Sequence, residues 1–240
     1  MNGTCESPVE RPGSACPADP TPGRQRVAWR TWFVPPIVLL LLAGVALAID
    51  MPVARWAQGR NYPRAVRELM SLAEAFGHGV GVSLVVVTVY TLDPARRRRL
   101  PRSIIAVVAA GCGANLIKLL ISRSRPGATD LLHLDAWHTF AGWLPLGHNG
   151  SPWQSFPSAH TATAVGLALV LSSLYPQGRR LFALFAVAVG LQRILGGAHF
   201  PSDVLAGAAI GWWCAVGVLQ LRRRCRTCTR AFTHGPPRSP

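Results

Sequence analysis

Residues 103–121, SIIAVVAAGCGANLIKLLI, form an apolar run with a single charge, Lys118, near its end. A membrane-spanning helix needs about 17–25 predominantly apolar residues, and this run qualifies. A cation inside such a segment costs ~2.5–3.5 kcal/mol on insertion scales and marks a functional site by default. Lys118 is also the only lysine among 25 Lys and Arg residues. Seven positions on stands Arg125-Pro126, then Pro157-Ser158-Ala159-His160, then Arg193 with His199 and Asp203 behind it. Cations, a serine, two histidines and a carboxylate in this order suggest a phosphate site with a histidine nucleophile.

Working outward, half of the residues are hydrophobic and 15% are charged, and the charges fall between apolar stretches. That pattern belongs to a polytopic membrane protein. Six stretches qualify: 32–49, 75–92, 103–121, 159–175, 181–195 and 204–221. Only the turn at 176–180 separates the fourth from the fifth, which reads as a tight cytoplasmic hairpin. The expected fold is all-α, six transmembrane helices over residues 32–221. Residues 1–31, rich in Pro, Gly and small polar residues, read as a disordered cytoplasmic tail. Residues 222–240 read as a basic cytoplasmic tail, disordered from about Thr227.

The net charge of +15 is a topology signal. Arg96–Arg99 and Arg102, Arg179 and Arg180, Arg222–Arg224, Arg226 and Arg230, and Arg11, Arg24, Arg26 and Arg30 fill alternate loops and both tails. The positive-inside rule places all of them, and so both termini, in the cytoplasm. Arg55, Arg60, Arg64 and Arg67 lie in the first outer loop, accompanied by Asp50, Glu68 and Glu74. This distribution argues against nucleic acid as a partner. The arginine bias suggests a GC-rich genome, hence a bacterial inner (plasma) membrane. Ala46-Leu47-Ala48 mimics a signal-peptidase site, but the 31 residues before the first span exceed a signal n-region, so a retained anchor is expected. Cys5, Cys16, Cys225 and Cys228 fall in cytoplasmic tails, where disulfides are disfavoured. Cys112 and Cys214, mid-span, are expected to be small core residues, and Cys225-x-x-Cys228 lacks the second pair of a zinc site.

With both termini inside, every unusual polar residue reaches the same extracytoplasmic face. Lys118 and Arg125 sit at the outer end of the third span, Ser158 and His160 at the start of the fourth. Arg193 lies near the end of the fifth, and His199 and Asp203 at the start of the sixth. Lys118 and Arg125, two helical turns apart, share a face if the helix persists to Pro126. Pro157-Ser158 and Pro201-Ser202 read as helix starts, whose N–H groups and dipoles favour anions. Arginine forks suit tetrahedral oxyanions. Asp203, four residues after His199, can accept a proton from one imidazole nitrogen and leave the other as nucleophile. His160 can protonate a departing alkoxide. Three other readings exist: an Arg193–Asp203 structural ion pair, a helix-cap role for His160, and a metal held by His160, His199 and Asp203. Three nearby cations would repel a metal.

These residues resemble the three-part signature of the type 2 phosphatidic acid phosphatase family, related to bacterial acid phosphatases and vanadium haloperoxidases. The family pattern is Lys-x6-Arg-Pro, Pro-Ser-Gly-His and Ser-Arg-x5-His-x3-Asp. Here it reads Lys118–Arg125-Pro126, Pro157-Ser158-Ala159-His160 and Gln192-Arg193–His199–Asp203. Ala159 replaces a glycine and Gln192 a serine, and neither loss removes a group from the proton or nucleophile chemistry. The resemblance implies a phosphohistidine on His199, oriented by Asp203, with His160 as proton donor. Lys118, Arg125, Ser158 and Arg193 would bind the phosphoryl oxygens. No metal or other cofactor is implied.

The expected activity is metal-independent hydrolysis of a lipid phosphate or diphosphate monoester at the outer membrane–water boundary, with the bilayer as partner. The family offers phosphatidic acid, phosphatidylglycerol phosphate, polyprenyl diphosphate and lipid A phosphates as substrates. A phosphotransferase using the same intermediate is the nearest rival, and a non-catalytic transporter or lipid-binding protein a more distant one. The long loop 127–156 carries Trp137, Trp143, Trp153, His133, His138 and His148. Its tryptophans suit the interfacial belt, where the loop would shape headgroup access; a packed cap is the other reading.

Overall fold

The computed structural model describes residues 22–59, 62–143 and 150–233, with side chains omitted at 22–29, 143, 151 and 221–233. The chain before residue 22, Arg60, His148 and the side chains of Trp143, Cys225 and Cys228 lie outside the described set. Eight α-helices and one two-stranded ribbon follow in order: α1 Pro22–Ala46, α2 Asp50–Gln58, α3 Arg64–Ala73, α4 Gly79–Leu92, α5 Leu100–Lys118, β1 Ile121–Arg123, β2 Phe140–Trp143, α6 Ala159–Leu174, α7 Arg179–Leu195 and α8 Pro201–Thr233.

α8 is the central post. It packs on α1, α5 and α6, while α6 also meets α5 and α7. Glycine makes the tightest crossing. A Cβ on Gly207 would lie 2.3 Å from the Ser158 carbonyl oxygen, and one on Gly211 2.3 Å from that of Ala162. Small residues four apart thus let α8 touch the backbone of α6, the close approach that membrane helices use in place of a hydrophobic driving force. Between α5, α6 and α8, Val107, Leu167, Val170, Leu171 and Ala215 form a buried cluster. Leu41, Val45, Leu84, Leu116 and Leu184 instead stand exposed on the outside of the bundle. An apolar exterior of this extent is what a bilayer covers.

Pro94–Lys118 and Pro201–Gln220 are each long and apolar enough to cross a membrane. Two more candidates are bent pairs: Arg30–Ala46 with Asp50–Gln58, at 74°, and Arg64–Gly77 with Gly79–Leu92, at 66°. The shorter α6 has 16 residues and α7 has 17. The loop expected between the first two spans is therefore helical, as α2 and α3. Helix also extends into both segments that composition marks as tails, starting at Pro22 and ending at Thr233. Half of the residues there are Arg, Gln or Ala, which cost a helix little.

The all-α expectation needs one correction. β1 pairs antiparallel with β2, Ile121 opposite Trp143 and Arg123 opposite Phe140. The helix therefore does not persist to Pro126. Proline disfavours the α region for the residue before it, and Arg125 is extended at φ −79°, ψ 148°.

The two ends of the bundle are fastened differently. At one end, Arg96 donates to the Leu174 carbonyl and stacks on Tyr175, its guanidinium carbon 4.3 Å from the ring centroid. Arg102 reaches the carbonyls of Val218 and Leu219 there. The opposite end gathers the C-termini of α5 and α7, the N-termini of α2, α6 and α8, and the ribbon.

Candidate active site

All seven residues expected at the site come to this second end. Lys118, Arg125 and Arg193 lie within mutual electrostatic range, and Lys118 also faces Asp203. His160 faces Arg193, His199 and Lys118. Lys118 and Arg125 meet across the turn into β1 and not along one helical face. Ser158 is buried between helices: its N–H donates to the Asp203 carbonyl at 3.0 Å, and its hydroxyl caps α6, accepting from the Thr161 N–H at 3.4 Å. That hydroxyl is engaged in capping, an arrangement the phosphate-binding expectation did not include.

His199 sits in the turn between α7 and α8, held by its N–H to the Arg193 carbonyl at 3.2 Å. Gly197, at φ +66°, supplies the left-handed residue that this turn requires. His199 Nδ1 lies 3.8 Å from Asp203 Oδ2, inside ion-pair range but longer than a hydrogen bond. Burial pushes the imidazole below its ordinary value of 6.5, against the opposing pull of Asp203. His199 is thus kept neutral, the form in which a ring nitrogen has a lone pair to offer.

Asp203 is fully buried and its carboxylate is saturated. Ser155 Oγ donates to it at 2.6 Å, the Phe200 N–H at 2.9 Å, and Arg123 Nη1 at 2.5 Å. Arg123 is the hub of this end and is itself fully buried. Its other donors reach Asp50 Oδ2 at 2.6 Å, Ser202 Oγ at 2.7 Å and Thr139 Oγ1 at 2.9 Å. Its guanidinium lies between the Phe200 and Phe140 rings, 4.2 and 4.5 Å from their centroids. Asp50 in turn accepts from the Ser202 N–H at 3.0 Å and from the Ser202 hydroxyl. One guanidinium between two carboxylates meets the requirement that buried charges be paired and hydrogen-bonded.

The second histidine has a second carboxylate. Glu74, in the single turn Glu74–Gly77 before α4, places Oε1 3.1 Å from Arg193 Nη2 and 3.8 Å from His160 Nε2. Its Oε2 accepts from Gln192 Nε2 at 3.0 Å, and Gln192 Oε1 accepts from Arg193 Nε at 2.7 Å. Gln192, the departure from the family serine, thus bridges arginine and carboxylate. An Arg193–Asp203 ion pair does not form among the described residues; Arg193 takes Glu74 instead.

Sequence reasoning missed Arg123, Asp50, Ser155 and Glu74. Arg123 carried a signal, a second arginine two residues before Arg125 in a span-end segment. Asp50 and Glu74 read from the sequence as counter-charges in an outer loop, and nothing local in the sequence marks Ser155. Among the described residues no three His, Cys, Asp or Glu side chains converge as a metal set, so His160, His199 and Asp203 do not form one. The site offers cations and donors instead. Arg125 Nε is buried without a hydrogen-bond partner among the described residues, a donor suited to an oxyanion.

Comparison with known proteins finds membrane phosphatases among the similar chains. A lipid A 1-phosphatase of Rhizobium etli is 28% identical over 207 residues, covering 80% of this chain and 84% of that protein. One from Rhizobium johnstonii is 38% identical over 131 residues, 55% of this chain and 51% of that one. The crystal structure of Aquifex aeolicus LpxE superposes with a TM-score of 0.56 at 23% identity, covering 72% of this chain and 95% of that one. A transmembrane phosphatidylglycerolphosphate phosphatase of Bacillus subtilis gives 0.55 at 19%, covering 79% and 96%. The pattern of the PAP2 superfamily matches residues 100–227, and the chain belongs to that superfamily.

Proposed function

We propose that this multi-pass membrane protein hydrolyses a lipid phosphate or diphosphate monoester through a phosphohistidine on His199. The observation that carries this reading is a buried imidazole, His199, beside three converging cations, Lys118, Arg125 and Arg193. The cations neutralise the phosphoryl oxygens and stabilise the charge spread over them as phosphorus passes to nitrogen. The Asp203 carboxylate stabilises the imidazole as it acquires positive character. His160 donates a proton to the leaving alkoxide and later takes one from the attacking water. Ser158 holds the start of α6, so that the free N–H groups of its first turn face the same anion. The cation cluster would repel a metal ion, and the mechanism needs none.

The reading takes α1, α4, α5, α6, α7 and α8 as six crossings, and the length and apolar character of Pro94–Lys118 and Pro201–Gln220 support it. The arginine-rich loops lie on the cytoplasmic side under the positive-inside rule. Both termini are then cytoplasmic, and the site opens at the outer face of an inner (plasma) membrane. There a lipid phosphate enters with its chains still in the bilayer. The Rhizobium relatives make a glycosyl phosphate of the lipid A 1-phosphate type the first substrate to assay. Purified protein should release phosphate from at least one of lipid A, phosphatidic acid, phosphatidylglycerol phosphate and polyprenyl diphosphate in the presence of a chelator. Loss of all release in chelator, or inactivity on the whole panel, would overturn the proposal.

A further inference from the structure

Glu74 is an acidic residue at a site otherwise built to hold an anion, and it needs a reason. A carboxylate 3.1 Å from Arg193 competes with phosphate for that arginine. Left alone, this would weaken binding. Yet the fold takes trouble to bring it there. A Cβ on Gly77 would sit 2.6 Å from the His160 carbonyl oxygen and 2.9 Å from Val189, so only glycine lets the Glu74–Gly77 turn lie against α6 and α7. Gln192 then clamps the carboxylate from the other side, bonding both Glu74 and Arg193.

The group that benefits is His160. To protonate a leaving alkoxide it must carry a proton, yet its partial burial and most of the groups facing it disfavour one. From α5 it faces Lys118, from α7 Arg193, from the turn before α8 His199, and from the start of α4 His78, whose ring centroid is 5.9 Å away. Glu74, at 3.8 Å, is the carboxylate in ion-pair range of its ring. An opposite charge at that distance favours the protonated imidazole. Both groups are about one-third exposed, 31% for His160 and 34% for Glu74, so protons can exchange with water.

We infer that Glu74 is a positioning residue for the proton donor, its carboxylate set against the His160 ring to favour the charged imidazole when the leaving group is in place, while Gln192 fixes Arg193. This rests on the phosphatase reading above. In the first half-reaction the bond from phosphorus to the lipid oxygen breaks as the bond to His199 forms. The proton on His160 passes to that oxygen. In the second, a water oxygen bonds phosphorus, its proton returns to His160, and the bond from nitrogen to phosphorus breaks. The Glu74 carboxylate keeps its place beside the imidazole at both ends of the cycle.

The test compares leaving groups. Dioctanoyl phosphatidic acid leaves as a poor alkoxide and needs the donor, whereas p-nitrophenyl phosphate leaves as a stable phenolate and hardly does. First-turnover rates of wild type, Glu74→Gln and Glu74→Asp are measured on both, with detergent melting curves to confirm folding. Glu74→Gln should lose at least ~30-fold on phosphatidic acid, a share of the 10²–10⁴ that proton transfer contributes. On p-nitrophenyl phosphate it should lose less than about a tenth of that factor. The alkaline limb of its pH profile should move to lower pH, because His160 without its carboxylate deprotonates sooner. Glu74→Asp should recover part of the loss. Equal losses on the two substrates, or an unmoved alkaline limb, would mean that Glu74 serves only to brace Arg193 and would overturn the inference. Inactivity of wild type on these two substrates and on the whole lipid panel above would instead sink the phosphatase reading itself.

Discussion

The site contains two histidine–carboxylate pairs with the same 3.8 Å separation and opposite surroundings. His199 and Asp203 are buried, and the carboxylate is locked by Arg123, Ser155 and the Phe200 N–H. His160 and Glu74 are partly exposed, and that carboxylate is shared with Arg193 and Gln192. The difference matches the two tasks proposed for His199 and His160. A nucleophile has to hold one position and stay unprotonated, and burial serves both ends. A group that donates a proton and then recovers one needs access to water. Burial would strand it in one state.

Substitutions that break the buried pair should have the largest effect. His199→Ala should abolish phosphate release, a loss of ~10⁴-fold or more of the kind seen when a nucleophile is removed. The protein should still insert and fold, as a detergent melting curve would report. Arg123→Ala leaves Asp50 and Asp203 buried without their cation. Breaking a fully buried pair costs about 3–5 kcal/mol, so the melting temperature should fall well below wild type. Stability within error of wild type would mean that the hub is dispensable.

Intermediate effects fall on the groups between the pairs. Lys118→Arg keeps the charge but replaces a compact ammonium by a planar fork. A misplacement of ~1 Å can cost about 10²-fold, so kcat should fall roughly 10- to 100-fold with little change in stability. Wild-type rates would refute a geometric role for this lysine. Gly77→Ala sharpens the comparison from the other side. The new methyl group pushes the Glu74 turn off His160, so phosphatidic acid turnover should drop several-fold while p-nitrophenyl phosphate changes less.

The smallest effect is a matter of pH. Burial lowers the His199 value from its ordinary 6.5, so the neutral nucleophile persists as pH falls through that value. The acid limb of kcat/KM should therefore lie below pH 6.5, where a solvent-exposed imidazole would already be half protonated. An acid limb at or above that pH would contradict a buried, neutral His199.

How much of this was legible in the sequence follows the same division. Lys118, Arg125, Ser158, His160, Arg193, His199 and Asp203 were readable because hydropathy gave the spans, and alternating arginine loops sent their ends to one side. The start of α8 at Pro201 and of α6 just after Ser158 followed from proline and serine chemistry. What stayed hidden depends on contacts across long separations. Arg123 meets Asp50, 73 positions away, and Asp203, 80 away. Glu74 meets Gln192 at a separation of 118. No periodicity encodes such pairs. The ribbon was missed because Ile121 reads as the last residue of an apolar helical run, and nothing local in Ile121–Arg123 marks its pairing with Phe140–Trp143.

The central claim is that phosphate passes through His199, and trapping the intermediate tests it most directly. Turnover of a ³²P-labelled lipid phosphate, quenched in denaturant at alkaline pH where phosphohistidine survives, should leave label on the wild-type peptide containing His199. No label should remain on His199→Ala. A wild type that turns over without ever holding label, or a label that persists in His199→Ala, would contradict the account.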